Sequence, residues 1–160
     1  GEPTKEPLSV DELIHETVAL TRTELTRHGV DVETDLRATL AVVGDRVQLQ
    51  QVLVNLFLNG ADAMSAVTDR PRRLVVRSRD DGETHVVVDI ADTGVGFASG
   101  DVDRIFAAFF STKADGLGMG LSISRSIVEA HGGRLWATPN DGPFGATLHF
   151  TLPAATEASP

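Results

Sequence analysis

Several features that mark other protein classes are missing from this 160-residue sequence. It contains no cysteine, which excludes disulfide bonds and thiolate chemistry and is consistent with a cytoplasmic location. No stretch approaches the ~20 apolar residues of a membrane-spanning helix, and the polar opening GEPTKEP does not resemble a signal peptide. No run is rich in Lys and Arg, and the net charge is −9, which argues against nucleic acid as a partner.

The common phosphate-binding and metal-binding motifs are also absent. The sequence has no G-x-x-x-x-G-K-[ST] loop, no G-x-G-x-x-G fingerprint opening a helix after a strand, and no H-E-x-x-H pair. We also find no internal repeat. An anionic ligand would therefore have to be held by backbone dipoles, a few cations or a metal ion, because the net charge of the chain repels it.

The remaining composition, 41% hydrophobic and 23% charged, is typical of a globular domain with one core. Apolar periodicity and turn residues predict helices over 8–27, 45–67 and 121–130, and strands over 30–36, 40–45, 72–80, 84–92, 134–138 and 145–153. This order predicts an α+β fold, a two-layer α/β sandwich with about three helices on one face of a mostly antiparallel, mixed sheet. We assign 1–7 to a linker or tag remnant, 8–153 to the domain, and 154–160 to a disordered tail or linker.

Polar side chains interrupt the second predicted helix. In NLFLNGAD, the spacing of Asn55, Asn59 and Asp62 places them on one stripe of an otherwise apolar helix. Buried carboxamides need hydrogen-bond partners or a cavity, and their oxygens can coordinate Mg²⁺ together with phosphate oxygens and water. Contacts that cap or hold neighbouring loops explain the pattern equally well at this point.

A second polar feature closes the strand predicted over 84–92. In DIADTGVGF the strand ends at Asp92, whose carboxylate can accept a hydrogen bond from an exocyclic amine. Gly94 and Gly96 would let a flat ring approach the backbone, because glycine has no side chain in the way. An ordinary turn explains the same residues.

The stretch before the last helix combines aromatic residues, a lysine and glycines. IFAAFFSTK brings three phenylalanines and Lys113 into an irregular region, which indicates either a flap that closes over a ligand or a hydrophobic anchor. In DGLGMGLSIS, the glycines at 116, 118 and 120 precede a helix whose free N–H groups and dipole favour phosphate oxygens.

Four of these stretches, taken in order, resemble one family. QQVLVNLFLNGADAM, DTGVGF, IFAAFFSTK and GLGMGLSISRSIVEAHGG are similar to the asparagine box, first glycine box, phenylalanine box and second glycine box of sensor histidine kinases. That family belongs to the superfamily shared with DNA gyrase, the large heat-shock chaperone and MutL. The similarity extends over nearly the whole chain, from Leu8 to Pro153, and looks closest to the nitrogen-regulation and FixL type. It implies the Bergerat ATP-binding fold, ATP and Mg²⁺ as ligands, and protein-histidine kinase activity.

The resemblance implies roles for individual residues. Asn59 would coordinate Mg²⁺, Asn55 would support the phosphate–metal network, and Asp62 would have a weak role. Asp92 would bind the adenine amine, helped by Thr147.

The resemblance also implies a base pocket and a phosphate site. Residues 97–117 would form the lid, and the catalytic set would be Asn55, Asn59 and Lys113. The pocket would be shaped by Gly94 and Gly96, and the phosphates would be bound by Lys113, Gly116, Leu117, Gly118, Met119, Gly120 and Leu121.

One position favours phosphoryl transfer over hydrolysis. ATP-hydrolysing relatives in this superfamily carry a glutamate one turn before the metal-binding asparagine, where it activates water. Asn55 stands there in this chain, and a carboxamide cannot accept a proton at neutral pH. ATP would therefore be held as a phosphoryl donor to a nucleophile.

Some residues depart from the family pattern. Ala107-Ala108 replaces the more usual Glu-Pro of the phenylalanine box, which would alter the packing of the lid, and Asp62 replaces a residue that is basic in many relatives. Gly60 replaces a usual alanine inside a helix, at a cost of about 1 kcal/mol.

The histidines do not supply the phosphoacceptor. His15-Glu16 resembles an acceptor pair, but only residues 1–44 precede the second predicted helix, which leaves no room for a helical hairpin, so we expect His15 to be a surface residue. His131 is expected at a helix C-terminus, where the dipole favours it, and Trp136 in sheet packing.

These features together predict the ATP-binding catalytic domain of a sensor histidine kinase, excised from its sensor and dimerising hairpin. Its partners would be the phosphoacceptor hairpin of the same kinase and, indirectly, a response regulator, with no nucleic acid and no direct membrane contact. We expect the isolated domain to be monomeric and cytoplasmic, in a whole protein that is free or membrane-attached. The alternatives are a related ATPase or anti-sigma-type serine kinase, and a degenerate module that only docks.

Overall fold

The computed structural model describes residues 4–96 and 120–156. Within these ranges the chain forms, in order, β1 Lys5–Ser9, α1 Val10–Arg27, β2 Val30–Arg37, β3 Ala41–Asp45, α2 Arg46–Ala63, β4 Arg72–Asp81, β5 His85–Asp92, α3 Gly120–Ala130, β6 Arg134–Pro139 and β7 Ala146–Pro153. None of the helices in the described part of the chain is both long and apolar enough to cross a membrane.

The main sheet has the strand order β2-β4-β5-β7-β6. The β2–β4 pair is parallel and the other three pairs are antiparallel. Alternation fixes which side chains face the helices, since Cβ atoms along a strand point to opposite faces. In β5, Val86, Val88 and Ile90 lie in the core with Asp92 on the same face.

The three described helices pack on one face of this sheet, as predicted. α2 contacts β4 and β5 and lies between α1, which contacts β2, and α3, which contacts β6 and β7. The core stripe of α2 consists of Leu49, Val52, Leu53 and Leu56, together with the fully buried Phe57. The predicted two-layer α/β sandwich is confirmed, and α2 is its central helix.

The first helix begins later than predicted. Leu8 belongs to β1, which pairs antiparallel with β3 in a separate two-stranded sheet, and α1 begins at Val10. Ser9 caps α1 because its hydroxyl accepts a hydrogen bond from the N–H of Glu12 (3.2 Å). Residues 5–7, which the sequence assigned to a linker, are therefore paired with β3.

The second helix ends at Ala63, before the predicted limit of Val67. The guanidinium group of Arg72 donates hydrogen bonds to the carbonyl oxygens of Ser65 (3.1 Å) and Val67 (3.0 Å), which keeps this segment out of the helical ladder. The N–H of Val95 donates to the carbonyl oxygen of Ala63 (3.2 Å). The end of α2 is thereby fastened to the segment that follows β5.

Candidate functional site

Two asparagines of α2 lie one turn apart, and the first of them contacts α3. Asn55 and Asn59 are half-buried. The side-chain amide of Asn55 donates to the hydroxyl of Ser124 on α3 (3.5 Å), and Ser124 is fully buried. Oδ1 of Asn59 is buried and has no hydrogen-bond partner among the residues that the structure describes. A buried acceptor without a partner is unfavourable, so this oxygen is the natural point for a cation or donor to bind.

Gly60 brings α2 close to the end of β5. A Cβ atom at this position would lie 2.7 Å from Cδ1 of Leu74 and 3.7 Å from Cβ of Asp92. From the sequence, Gly60 was interpreted as a departure from the family pattern that weakens the helix. The structure gives it a packing role, since the missing side chain lets the turn of α2 that carries Asn59 approach Asp92.

Asp92 is a buried acid at the end of β5. It is only 7% exposed, and its Oδ1 accepts a hydrogen bond from the N–H of Gly94 (2.8 Å). Burial raises the pKa of the Asp92 carboxyl to about 6, while the backbone N–H groups of Gly94 and Ala146 act in the opposite direction. A carboxyl with a pKa of about 6 is mostly ionised at pH 7, so the end of β5 carries a buried hydrogen-bond acceptor.

Two predicted glycines pack tightly around Asp92. At Gly94 a Cβ atom would lie 2.5 Å from the carbonyl oxygen of Ala63, so no side chain fits between α2 and this turn. Gly96 has a φ of 70°, and a Cβ atom there would approach the carbonyl oxygen of Gly145 at 3.0 Å. The turn after β5 is thus enclosed between the end of α2 and the β6–β7 connection.

Thr147 is linked to the backbone carbonyl of Asp92 through the side chain of Asn140. It pairs with Ala91 in the sheet, which places its side chain on the face opposite to that of Asp92. Its hydroxyl donates to Oδ1 of Asn140 (2.5 Å), and the side-chain amide of Asn140 donates to the carbonyl oxygen of Asp92 (2.8 Å).

Of the remaining predicted site residues, Gly120, Leu121 and Asp62 lie within the described part of the chain. α3 begins at Gly120, followed by the buried Leu121. Asp62 is half-buried and engaged in an interaction of its own. The predicted lid over 97–117 lies outside the described residues, and so do Lys113, Gly116, Leu117, Gly118 and Met119.

Arg70 was not singled out from the sequence, although it contacts the site. Its guanidinium donates from Nε to the carbonyl oxygen of Thr93 (2.8 Å) and from Nη2 to that of Gly94 (2.9 Å). It also lies 3.9 Å from the centre of the Phe144 ring. These partners are far apart in the sequence, and so no local pattern pointed to this role.

The histidines have structural surroundings. His15 is exposed, as predicted. Nδ1 of His131 lies 2.8 Å from the carbonyl oxygen of Ile127, and Nε2 accepts from the N–H of Asp45 (3.1 Å), so His131 joins the end of α3 to the cap of α2. The Trp136 ring stacks on the imidazole of His149 at 5.1 Å on the outer face of the sheet, in agreement with its predicted packing role.

Comparison with known proteins identifies the family. The family model described as histidine kinase-, DNA gyrase B-, and HSP90-like ATPase matches residues 44–156. Sensor protein FixL from Bradyrhizobium diazoefficiens is 45% identical over 98% of this chain, and the C4-dicarboxylate transport sensor protein DctS from Rhodobacter capsulatus is 35% identical over 99%. The chain spans 31% and 24% of the lengths of these two relatives.

Solved structures agree with this assignment. The nucleotide-free catalytic domain of histidine kinase ThkA superposes with a TM-score of 0.79 and 29% identity, covering 94% of this chain and 98% of that one. Full-length ShkA in complex with AMPPNP gives a TM-score of 0.82 and 26% identity over 99% of this chain and 33% of its own. The chain therefore belongs to the histidine kinase-, DNA gyrase B- and HSP90-like ATPase family, as a catalytic domain of the sensor histidine kinase type.

Proposed function

We propose that this domain binds Mg-ATP and donates the γ-phosphoryl group to a histidine on a separate dimerisation and phosphoacceptor hairpin of the same kinase. The observation that carries the proposal is the pairing of two unfavourable groups at one place. Oδ1 of Asn59, which has no partner in ranges 4–96 and 120–156, and the buried carboxylate of Asp92 belong to elements that Gly60 brings into contact. A magnesium nucleotide would supply a cation for Oδ1 of Asn59 and an amine donor for the Asp92 carboxylate.

Asp92 selects the base in this proposal. One carboxylate oxygen already accepts from Gly94, and the carboxylate has further acceptor capacity for the exocyclic amine of adenine. The close approach at Gly94 and Gly96 leaves backbone, not side chains, beside the ring. Thr147 supports this arrangement from behind through Asn140.

The metal and phosphate sites lie toward α3. Asn59 Oδ1 fits a magnesium ligand, since it is a neutral oxygen with no protein donor among the described residues. Magnesium held there supplies positive charge to the phosphate oxygens. We assign phosphate binding to the backbone of Gly120 and Leu121 at the start of α3, with Lys113 and residues 116–119.

Asn55 favours transfer over hydrolysis. Its side-chain amide is oriented by the Ser124 hydroxyl, and a carboxamide cannot deprotonate water. The phosphoryl group would thus pass to an incoming imidazole nitrogen while the bond to the leaving ADP oxygen breaks.

The partners follow from the reaction. The phosphorylated hairpin would pass the group to a response regulator, so that the regulator is an indirect partner of this domain. One similar solved structure is described as histidine kinase ThkA in complex with response regulator protein TrrA, which supports a two-component setting. We place the domain in the cytoplasm, as a monomer when isolated, in a whole protein that is free or membrane-attached.

Titration and phosphotransfer together test the proposal. A non-hydrolysable ATP analogue should bind more tightly with Mg²⁺ than without it, and Asn59→Ala should abolish that difference. Gln51→Ala, at an exposed position of the same helix, is the matched control and should behave like the wild type. With labelled ATP and a candidate phosphoacceptor hairpin, label should appear on the hairpin and disappear with Asn59→Ala. Steady phosphate release without an acceptor would favour an ATPase, and no nucleotide binding would favour a docking module.

A further inference from the structure

We propose that Arg70 and Asn140 are positioning residues for the nucleotide base, because together they fix the backbone that aims Asp92. The inference rests on the proposed function and extends it to two side chains outside the family motifs. The Asp92–Gly94 turn has three consecutive carbonyl oxygens, and each accepts a hydrogen bond from one of these two side chains.

Arg70 holds the second and third carbonyls. Its fork reaches Thr93 and Gly94 at 2.8 and 2.9 Å, and its remaining nitrogen donates to Asp69 (2.8 Å). The side chain is only 17% exposed, with its guanidinium over the Phe144 ring. A planar fork with several donors in fixed directions restrains two carbonyls at once, which the single ammonium of lysine cannot reproduce.

Asn140 holds the first carbonyl from the other side. Its side-chain amide donates to the carbonyl oxygens of Asp92 (2.8 Å) and Phe144 (3.1 Å), and its Oδ1 accepts from Thr147. Gly145 has a φ of 80°, and any Cβ atom there would overlap the carbonyl oxygen of Asp92. The β6–β7 connection therefore lies directly against this turn.

The restraint concerns the base end of the proposed site. Arg70 contacts the turn that orients the Asp92 carboxylate. The groups proposed to bind magnesium and phosphate lie elsewhere, Asn59 on α2 and Gly120 at the start of α3. Loosening the turn should weaken recognition of the adenine amine and leave phosphate binding unchanged. Guanine has a carbonyl where adenine has this amine, so a guanine nucleotide gains little from an aimed carboxylate.

Arg72, the first residue of β4, provides a matched control two positions from Arg70. Its guanidinium donates to three carbonyl oxygens, those of Val67, His28 and Ser65, and to none in the Asp92–Gly94 turn. We compare the wild type, Arg70→Lys and Arg72→Lys by titration with non-hydrolysable analogues of ATP and GTP, each with Mg²⁺. Thermal unfolding of each variant establishes that the titrated protein is folded.

Arg70→Lys is expected to weaken the binding of the ATP analogue about tenfold and the binding of the GTP analogue less than about twofold, so that the discrimination between the two bases decreases. Arg72→Lys should leave this discrimination unchanged. If Arg70→Lys does not fold, Phe144→Leu replaces it, since that ring is 46% exposed and its loss removes only the surface under the guanidinium. Phe144→Leu should shrink discrimination in the same direction.

The following results would overturn the inference. Unchanged discrimination in the folded Arg70 or Phe144 variant, or an equal loss for both nucleotides, would leave only a general structural role. If the wild type binds neither nucleotide, the proposed function itself is wrong and this inference falls with it. Wild-type preference for ATP that survives in Arg70→Lys would refute the positioning role alone.

Discussion

Replacing Asp92 by asparagine should make the domain more stable while weakening nucleotide binding. The carboxylate is 7% exposed, and burial raises its pKa from 3.8 to about 6. Asparagine has nearly the same shape and keeps an oxygen that can accept from the N–H of Gly94. Asp92→Asn therefore removes the buried charge with little change in packing.

The magnitude follows from the pKa. Moving from 3.8 to about 6, at about 1.4 kcal/mol per pH unit, corresponds to about 3 kcal/mol of destabilisation when the group is ionised in the folded protein. The folded protein holds this proton to a higher pH than the unfolded chain does. The stability contributed by Asp92 is thus fully present below pH 3.8 and is lost as the pH rises through about 6.

The assay is urea unfolding of nucleotide-free wild type and Asp92→Asn across this pH range. The difference in unfolding free energy isolates Asp92, because other titrating groups are common to both proteins. It should grow from a low-pH baseline to about 2–3 kcal/mol above that baseline at pH 8, equivalent to about 5–12 °C in melting temperature. Asp31→Asn, at an exposed position of β2, is the control for the substitution itself and should change the unfolding free energy little.

The binding of nucleotide should change in the opposite direction. Asp92→Asn replaces an acceptor by an amide donor opposite the adenine amine, which should weaken an ATP analogue at least about tenfold. A stability difference that stays flat between pH 4 and 8 would refute the proposed cost of burying this charge. Wild-type affinity in the variant would refute its role in binding the base.

Three further predictions concern other parts of the fold. Asn59→Leu should raise the unfolding free energy by about 1 kcal/mol, because it removes a buried oxygen without a hydrogen-bond partner in the described part of the chain, and should abolish Mg²⁺-dependent nucleotide binding measured by calorimetry; a destabilised variant that keeps this dependence contradicts it. Gly145→Ala should lose at least about 3 kcal/mol by urea unfolding, since its Cβ overlaps a carbonyl of β5, against about 1 kcal/mol for Gly82→Ala, which has a positive φ but open space; similar losses would show that overlap is unimportant. His131→Ala should lose about 1–3 kcal/mol, because the N–H of Asp45 loses its acceptor, and an unchanged urea midpoint would be incompatible with that contact.

Local patterns predicted most of the elements. Val30, Val32 and Leu36 alternate with polar residues along β2, and the structure forms that strand over Val30–Arg37. β1 was not predicted because its five residues contain Pro7 and a single buried side chain, Leu8. Such a segment is a strand only because β3 pairs with it, and pairing is not written in local periodicity.

The pairing of the strands was similarly beyond the sequence. β2 and β3 are neighbours in the chain, yet β2 pairs in parallel with β4 and β3 pairs with β1. The choice depends on which strands can place their apolar face under α1 and α2, and that is a property of the assembled layers.

Local sequence patterns identify some residues of the candidate site and not others. Asn55, Asn59 and Asp92 could be identified because polar residues in apolar surroundings violate the local pattern. Arg70 and Asn140 violate nothing, since each is a polar loop residue, and their importance arises from backbone carbonyls 23 and 48 positions away in the sequence. Residues that act through distant backbone groups leave no local trace.

The arrangement of polar groups links stability to ligand binding. Arg70 and Asn140, behind the site, hydrogen-bond within the protein, whereas Oδ1 of Asn59 has no such partner among the residues described by the structure. Selection for stability alone would favour an apolar side chain in place of Asn59 and an uncharged side chain in place of Asp92. If the nucleotide amine and magnesium bind Asp92 and Asn59 as proposed, the bound domain should recover the free energy that these two groups cost the folded protein. At a ligand concentration 100 times the dissociation constant, binding should raise the unfolding free energy by about 2.7 kcal/mol.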